Sequence, residues 1–214
     1  MTYRAKDHYL DPEVVASYDE QRFTSRKGRF VDQRERSLVA AAIARSGAGP
    51  GAAILDVPCG TGRLTRVFAI AGFAVTGADI SQPMLDRAAA RVADLPATGR
   101  PDLVMADAEG LPFADGAFDV VVSLRLFGHL PPTARGRALR EFRRVARGHV
   151  IVAYYHHSSL QGLLRRRRRR GSPWYATGLG EVDAELGDAG LRRVHRGFML
   201  PLISETVIVL ARAV

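Results

Sequence analysis

The chain has little cysteine and no long apolar run. Its one cysteine, Cys59, excludes an internal disulfide and a metal site built from several thiolates. His156 and His157 have no third ligand at a recognisable spacing, so we expect no metal site. No stretch reaches the roughly 18 consecutive apolar residues of a membrane-spanning helix, and the first residues do not resemble a secretion leader. We therefore expect a cytoplasmic protein.

Acidic residues are scarce relative to basic ones. The 22 acidic residues are outnumbered by 31 lysines and arginines, which leaves a formal net charge of +9. Six of these positive charges form one run, Arg165–Arg170, which has Leu160, Leu163 and Leu164 before it and Trp174 and Tyr175 after it. The 214 residues are 47% hydrophobic, and no linker divides them, so we expect a single domain over 1–214.

The most informative segment reads A-I-L-D-V-P-C-G-T-G, from Ala53 to Gly62. Its apolar start predicts a strand, and Gly60 and Gly62 allow a tight turn that lets a ligand approach the backbone. A helical pattern follows, and then a second predicted strand, Phe73 to Ala78, which ends on Asp79. An acid at that place can accept hydrogen bonds from both ribose hydroxyls of an adenosine. The segment therefore predicts a site for a nucleoside-type cofactor.

Two enzyme classes share this order of elements, and the turn distinguishes them. A nicotinamide-dependent reductase favours a third glycine where this chain has Thr65. The turn instead resembles motif I of the class I S-adenosylmethionine-dependent methyltransferases, in which an acid stands four residues before the first glycine. Asp56 and Gly60 have that spacing, whereas Pro58 replaces a residue that is often small in the family.

The resemblance implies an α/β fold. We expect a Rossmann-like, doubly wound, mostly parallel seven-stranded sheet with helices on both faces and an N-terminal helical lid. A third strand is predicted to end on Asp107. Further strands are predicted at Phe118–Leu124, His149–Tyr155, Leu191–Met199 and Thr206–Ala211, and helices at Pro132–Val145 and Glu181–Ala189. The lid is assigned to 1–45, the cofactor-binding core to 50–150 and a basic insertion on the substrate side to 156–178.

The resemblance also implies S-adenosyl-L-methionine as the cofactor and a set of residues that bind it. These are Asp56, Pro58, Gly60, Thr61 and Gly62 of the turn, Asp79 at the ribose, Ile80, Met84, Asp107 and Ala108 at the adenine, and Leu124 at the methionine arm. In the lid, Tyr18, Arg22 and Arg34 are candidates to meet the cofactor carboxylate. The alternatives are core packing for Ile80 and Met84, a turn cap for Asp107, and solvated surface arginines.

A proton acceptor is needed only if the methylated group is a hydroxyl or a phenol. His129 is our first candidate for this base, and Tyr155 is a second, because they lie past the end and at the end of neighbouring predicted strands, respectively. A purely structural histidine is the alternative for His129.

The acceptor of the methyl group is less well defined. The segment beginning at Phe118 lacks the tetrad of asparagine or aspartate, two prolines and an aromatic that marks amino-methylating enzymes, which disfavours base N-methylation. Arg165–Arg170 could contact the inner face of an anionic membrane or the phosphates of RNA or DNA. The alternative is a solvated loop without a partner for these charges. Three functions remain open: a methyltransferase for a small or lipophilic metabolite, a nucleic-acid methyltransferase, and a cofactor-binding accessory protein without catalysis.

Overall fold

The computed structural model describes residues 11, 15, 18–168 and 175–214. The strands are β1 (Ala53–Asp56), β2 (Ala74–Asp79), β3 (Asp102–Met105), β4 (Phe118–Ser123), β5 (Ala146–Tyr155), β6 (Leu191–Phe198) and β7 (Thr206–Ala213). The helices are α1 (Tyr18–Phe23), α2 (Arg26–Ser46), α3 (Arg63–Ile70), α4 (Gln82–Val92), α5 (Pro132–Val145), α6 (Leu160–Arg168) and α7 (Leu179–Asp188). Short 3₁₀ turns lie at Ala97–Gly99 and Phe127–His129.

The strands form one sheet in the order β3-β2-β1-β4-β5-β7-β6. The first five are parallel to one another, and β7 runs antiparallel to both β5 and β6. The predicted seven-stranded, mostly parallel sheet is therefore confirmed. The near-continuous apolar sequence of β4 follows from its place in the sheet, since it lies between β1 and β5 with side chains buried on both faces.

Helices cover both faces of the sheet. Successive residues of a strand point to opposite faces of the sheet. On one face, Leu55 and Val121 pack in one cluster with α5 and α7. Their neighbours Ile54 and Val122 pack in a second cluster with α2 and α3. This arrangement confirms the predicted doubly wound fold.

The sheet brings the predicted cofactor residues to one edge. Strand β1 pairs with β2 on one side and with β4 on the other. Successive strands are therefore added on one side of β1 up to β3 and on its other side from β4 onward, so the strand order reverses at β1. Ligands of open α/β sheets bind beyond the carboxyl ends of the strands at such a reversal. Asp56, Asp79 and Ser123 are the last residues of these three strands and therefore lie at that edge.

Several predicted boundaries differ from the structure. Strand β3 ends at Met105, before the predicted end at Asp107, and β5 begins at Ala146, because α5 passes directly into extended backbone there. Within the proposed insertion, Leu160–Arg168 form helix α6, which periodicity did not predict. Trp174 and the last two arginines of the run lie outside the described residues.

Candidate functional site

A cleft opens at the carboxyl edge of the sheet. Of the residues predicted from sequence, it is lined by Tyr18, Asp56, Pro58, Gly60, Thr61, Asp79, Ile80, Met84, Asp107, Ala108, Leu124 and His129. Residues that the sequence did not single out also line it, among them Phe23, Arg63, Glu109, Leu126 and Leu130. The predicted Arg22, Gly62 and Tyr155 are not part of the lining.

The two glycines of the turn have different surroundings. Gly60 has a φ of +54°, and a Cβ built on it would meet no atom within 4 Å, so the backbone faces open space. Gly62 has a φ of +74°, and a Cβ there would lie 2.9 Å from the Cβ of Ala88. Gly60 therefore leaves room for a ligand against the turn, whereas Gly62 allows α3 to pack closely on α4.

Backbone donors orient the carboxylate of Asp79. Its Oδ2 accepts a hydrogen bond from the Gly60 N–H at 2.8 Å, and its Oδ1 accepts one from the Ser81 N–H at 3.0 Å. Burial raises the pKa of this carboxyl, although these donors oppose the rise. Each oxygen has a further lone pair, so the carboxylate retains capacity to accept hydrogen bonds from a ligand.

Asp56 joins the end of β1 to helix α3. Its Oδ2 accepts a 2.6 Å hydrogen bond from the Thr65 hydroxyl, and the side chain is almost completely buried. This contact gives the threonine at the third-glycine position a structural role. Burial raises the pKa of Asp56 to about 7, which the Thr65 hydrogen bond and the charge of Arg63 only partly offset.

The raised pKa of Asp56 predicts a pH-dependent stability. Because the pKa is about 7 in the folded chain and 3.8 for an unperturbed carboxyl, the unfolded state loses this proton first as pH rises. The contribution of Asp56 to the free energy of unfolding should therefore fall between about pH 4 and about pH 7, by up to ~1.4 kcal/mol per pH unit, and then level off. In Asp56→Asn, which still accepts from Thr65, this decline should disappear. Urea titrations of both chains across the window measure the difference, and parallel profiles would contradict the assignment.

Asp107 follows β3 and closes a turn at the cleft. Its Oδ1 accepts a hydrogen bond from the Glu109 N–H at 3.0 Å, as expected for a turn cap, while the residue also lines the cleft. Met84 lines the cleft and is buried at the start of α4, where its N–H donates to the hydroxyl of Ser81. The adenine-side candidates therefore have structural contacts in addition to their place in the cleft.

A buried ion cluster lies at the lid side of the cleft. Glu35 of α2 is 2% exposed and accepts from Arg63 at 2.6 Å and from Arg125 at 3.0 Å. Both guanidinium groups also lie over the ring of Phe23, at 4.8 and 5.0 Å. Arg63 pairs with Asp32 as well. Sequence reasoning missed Glu35, Phe23 and Arg63, and only the position of Arg63 directly after the glycine turn was a signal.

Helix α1 is attached to the glycine turn. Asp19 accepts a 2.9 Å hydrogen bond from the Thr61 hydroxyl and forms an ion pair with Arg91 of α4. Tyr18 lines the cleft, and the exposed Arg22 places its guanidinium over the Tyr18 ring at 4.6 Å. Arg34 lies elsewhere, because it donates to the carbonyls of Phe198 and Met199.

The two candidate bases differ in their exposure. His129 is half-buried and lines the cleft at the end of a 3₁₀ turn, whereas Tyr155 is buried at the end of β5. Burial raises the pKa of Tyr155 well above its ordinary value, against the lowering effect of Arg125. In the part of the chain that the structure describes, no three histidine, cysteine, aspartate or glutamate side chains group as a metal site.

Comparison with known proteins identifies the domain. Residues 54–149 match a family model described as "Methyltransferase domain". The ubiquinone/menaquinone biosynthesis C-methyltransferase UbiE of Ectopseudomonas mendocina (strain ymp) is 44% identical over 108 residues, which are 49% of this chain and 41% of that protein. The chain thus spans less than half the length of this curated relative.

Two solved structures share the fold. Magnesium protoporphyrin IX methyltransferase ChlM from Synechocystis PCC 6803, with bound SAH, has a TM-score of 0.81 at 20% identity over 99% of both chains. The O-methyltransferase NcsB1 from neocarzinostatin biosynthesis has a TM-score of 0.74 at 21% identity, covering 100% of this chain and 62% of that one. Residues 54–149 of this chain therefore match a methyltransferase domain, and the chain has the fold of these two methyltransferases.

Proposed function

We propose that this chain transfers a methyl group from S-adenosyl-L-methionine to a small or lipophilic metabolite. The observation that carries the proposal is the open space over Gly60 beside the oriented carboxylate of Asp79. Gly60 offers a backbone surface without a Cβ, and the Asp79 carboxylate offers an acceptor for ribose hydroxyls. We also propose the domain limits expected from sequence, with the lid at 1–45, the core at 50–150 and the insertion at 156–178.

The cofactor contacts are proposed residue by residue along the cleft. Asp79 accepts from the ribose, Asp107 accepts from the adenine amino group, and Ile80 with Met84 contacts the adenine ring. The rest of the cofactor contacts the backbone around Pro58, Gly60, Thr61, Ala108 and Leu124. Asp56 and Gly62 hold the turn in place through the Thr65 hydrogen bond and the close packing on Ala88. On the lid side, Tyr18 and Arg22 remain our candidates for the cofactor carboxylate.

The cofactor supplies an activated methyl group, so the chain's task is to hold the acceptor in line and to exclude water. His129 lines the cleft and can remove a proton from a hydroxyl acceptor. Tyr155, whose raised pKa keeps the phenol protonated at neutral pH, suits hydrogen-bond donation better than proton abstraction. We therefore propose His129 as the base and Tyr155, which is buried behind the cleft lining near Arg125, as a positioning residue.

Apolar side chains around His129 favour a carbon-rich acceptor. Leu124, Leu126 and Leu130 line the cleft together with this histidine. The relatives are consistent with this choice: UbiE is named for ubiquinone and menaquinone biosynthesis, and NcsB1 was solved with 1,4-dihydroxy-2-naphthoic acid. A hydroxylated aromatic metabolite is therefore the proposed acceptor class.

Transfer of a labelled methyl group tests the function. We expect the purified chain, given methyl-labelled S-adenosylmethionine and a fractionated cell extract, to label the organic or small-molecule fraction. In His129→Ala the labelling rate should fall about a hundredfold if the acceptor is a hydroxyl, because general base catalysis contributes on that order. The affinity for S-adenosylhomocysteine should stay unchanged, since the base acts on the acceptor.

The matched control is a second histidine that lies outside the cleft lining. His157 is exposed and follows the end of β5, so His157→Ala removes an imidazole without altering the cleft. We expect its labelling rate to equal that of the unaltered chain. Equal rates in His129→Ala and His157→Ala would remove His129 from the role of base.

The same assay separates the alternatives. Label in RNA or DNA would favour a nucleic-acid methyltransferase, in which Arg165–Arg170 contact phosphates. Cofactor binding without label in any fraction would favour an accessory protein without catalysis.

A further inference from the structure

Helix α6 presents an apolar face to solvent. Leu160, Leu163 and Leu164 are 55%, 52% and 43% exposed, and their spacing places them on one side of the helix. Gly162 lies on the other side, where a Cβ would come within 2.8 Å of the His156 carbonyl oxygen. The helix therefore packs on the protein through Gly162, and its leucines point away.

The loop between β6 and β7 adds to this face. Leu202 and Ile203 are 84% and 55% exposed. The N–H of Leu160 donates to the Leu202 carbonyl at 2.9 Å, and the N–H of Gln161 donates to the Ile203 carbonyl at 3.0 Å. These bonds hold the loop against the start of α6. We call Leu160, Leu163, Leu164, Leu202 and Ile203 the apolar platform.

The backbone at Leu202 is itself unusual. Its φ of +63° lies in the left-handed region, which an L-residue with a branched side chain rarely adopts. Such a conformation is maintained only when the surrounding structure fixes it, here through the hydrogen bonds to α6. The loop thus holds Leu202 in a left-handed conformation with the residue 84% exposed.

Positive charge adjoins the platform. Helix α6 continues through Arg165–Arg168, the first four residues of the arginine run. An apolar face next in sequence to a block of arginines offers the two chemistries that an anionic lipid surface binds, aliphatic side chains for the acyl boundary and positive charge for the phosphates. Nucleic acid offers the same phosphates, but it gives exposed aliphatic side chains no apolar region in which to be buried.

The segment that carries the platform is anchored beside the cleft at both ends. It leaves β5 directly after Tyr155, and beyond the arginine run the N–H of Tyr175 donates to the Gly128 carbonyl at 2.9 Å. Gly128 is the neighbour of His129, the proposed base. The chain beyond the arginine run is therefore hydrogen-bonded next to the proposed base.

We propose that the apolar platform and Arg165–Arg168 dock this chain on the surface of an anionic phospholipid bilayer. Among the helices of the described residues, none has the length and hydropathy of a membrane span. Docking at the inner face of a membrane agrees with the location expected from sequence. That the cleft then takes its acceptor from the lipid phase rests on the proposed function, whereas the docking itself does not.

Co-sedimentation with vesicles tests the docking. The full chain, without methyl donor, is mixed with vesicles of phosphatidylcholine alone or of phosphatidylcholine with phosphatidylserine. We expect binding to the anionic vesicles that falls at least about tenfold in Leu163→Glu/Leu202→Glu and in a chain with Arg165–Arg168 changed to glutamine. Ile70→Glu is the matched control, because Ile70 is 64% exposed on α3, outside the platform, and its replacement should leave binding unchanged.

Binding of S-adenosylhomocysteine by each variant shows that its fold is retained. Equal binding by the double glutamate variant and the unaltered chain would overturn the proposed role of the apolar platform in docking. An absence of vesicle binding by the unaltered chain would overturn it as well. Arginine-dependent binding to RNA without vesicle binding would assign the surface to nucleic acid and also overturn the proposal. If the unaltered chain binds vesicles but not S-adenosylhomocysteine, the proposed function fails and the docking stands.

Discussion

Replacing Asp79 by alanine should weaken the binding of S-adenosylhomocysteine by about two orders of magnitude or more. The carboxylate is oriented by the N–H groups of Gly60 and Ser81, and we propose that it accepts both ribose hydroxyls. Hydrogen bonds to a charged group contribute ~1.5–3 kcal/mol each, so the loss of two should raise the Kd by about a hundredfold or more. Isothermal titration calorimetry with S-adenosylhomocysteine measures this change without an identified acceptor.

Two further variants define the role of the Asp79 charge. Asp79→Asn retains one oxygen but must present its NH₂ group to one of the two backbone donors, so we expect a Kd between those of the parent and the alanine variant. Asp86→Ala removes an exposed carboxylate from the neighbouring helix α4 and should leave the Kd unchanged. An unaltered Kd in a folded Asp79→Ala would remove this residue from the ribose site.

Much of the fold was predictable because its signals are local. The apolar β1, the glycine turn and the acid after β2 stand within one short stretch, and each has a physical requirement that few residue types meet. Because β1, β2 and β4 are parallel, their carboxyl ends share an edge, and the predicted cofactor residues meet there. The predicted bounds of α5 agree with the structure for the same reason, with proline at its start and an apolar stripe along it.

The parts that sequence did not predict depend on contacts between distant segments. The first N–H groups of helix α6 donate to carbonyls of the β6–β7 loop, and no local pattern records those partners, whereas the Ser159 hydroxyl is a local cap. The position of Glu35 is similar. It stands among arginines and acids of α2 that look alike in sequence, and only the packing of α2 over the cleft buries it against Arg63 and Arg125.

This burial makes the loss of Glu35 costly. Glu35→Ala leaves Arg125 without its carboxylate and leaves Arg63 with Asp32 alone. Removing one partner of a buried ion pair costs ~3–5 kcal/mol, and the partial exposure of Arg125 places our expectation near the lower figure, about 3 kcal/mol. Urea unfolding at 25 °C measures the loss, and Glu35→Gln, which still accepts a hydrogen bond, should lose less.

The matched control for Glu35 is an ion pair that remains in solvent. Asp183 pairs with Arg193 with side-chain exposures of 44% and 33%, so Asp183→Ala should cost at most ~1 kcal/mol. The two variants also differ in what they disturb, because Glu35 holds α2 against the end of the cleft, while Asp183 lies on α7. We therefore expect Glu35→Ala also to weaken binding of S-adenosylhomocysteine. If Glu35→Ala destabilises the chain no more than Asp183→Ala does, the buried ion cluster is not what attaches α2 to the rest of the domain.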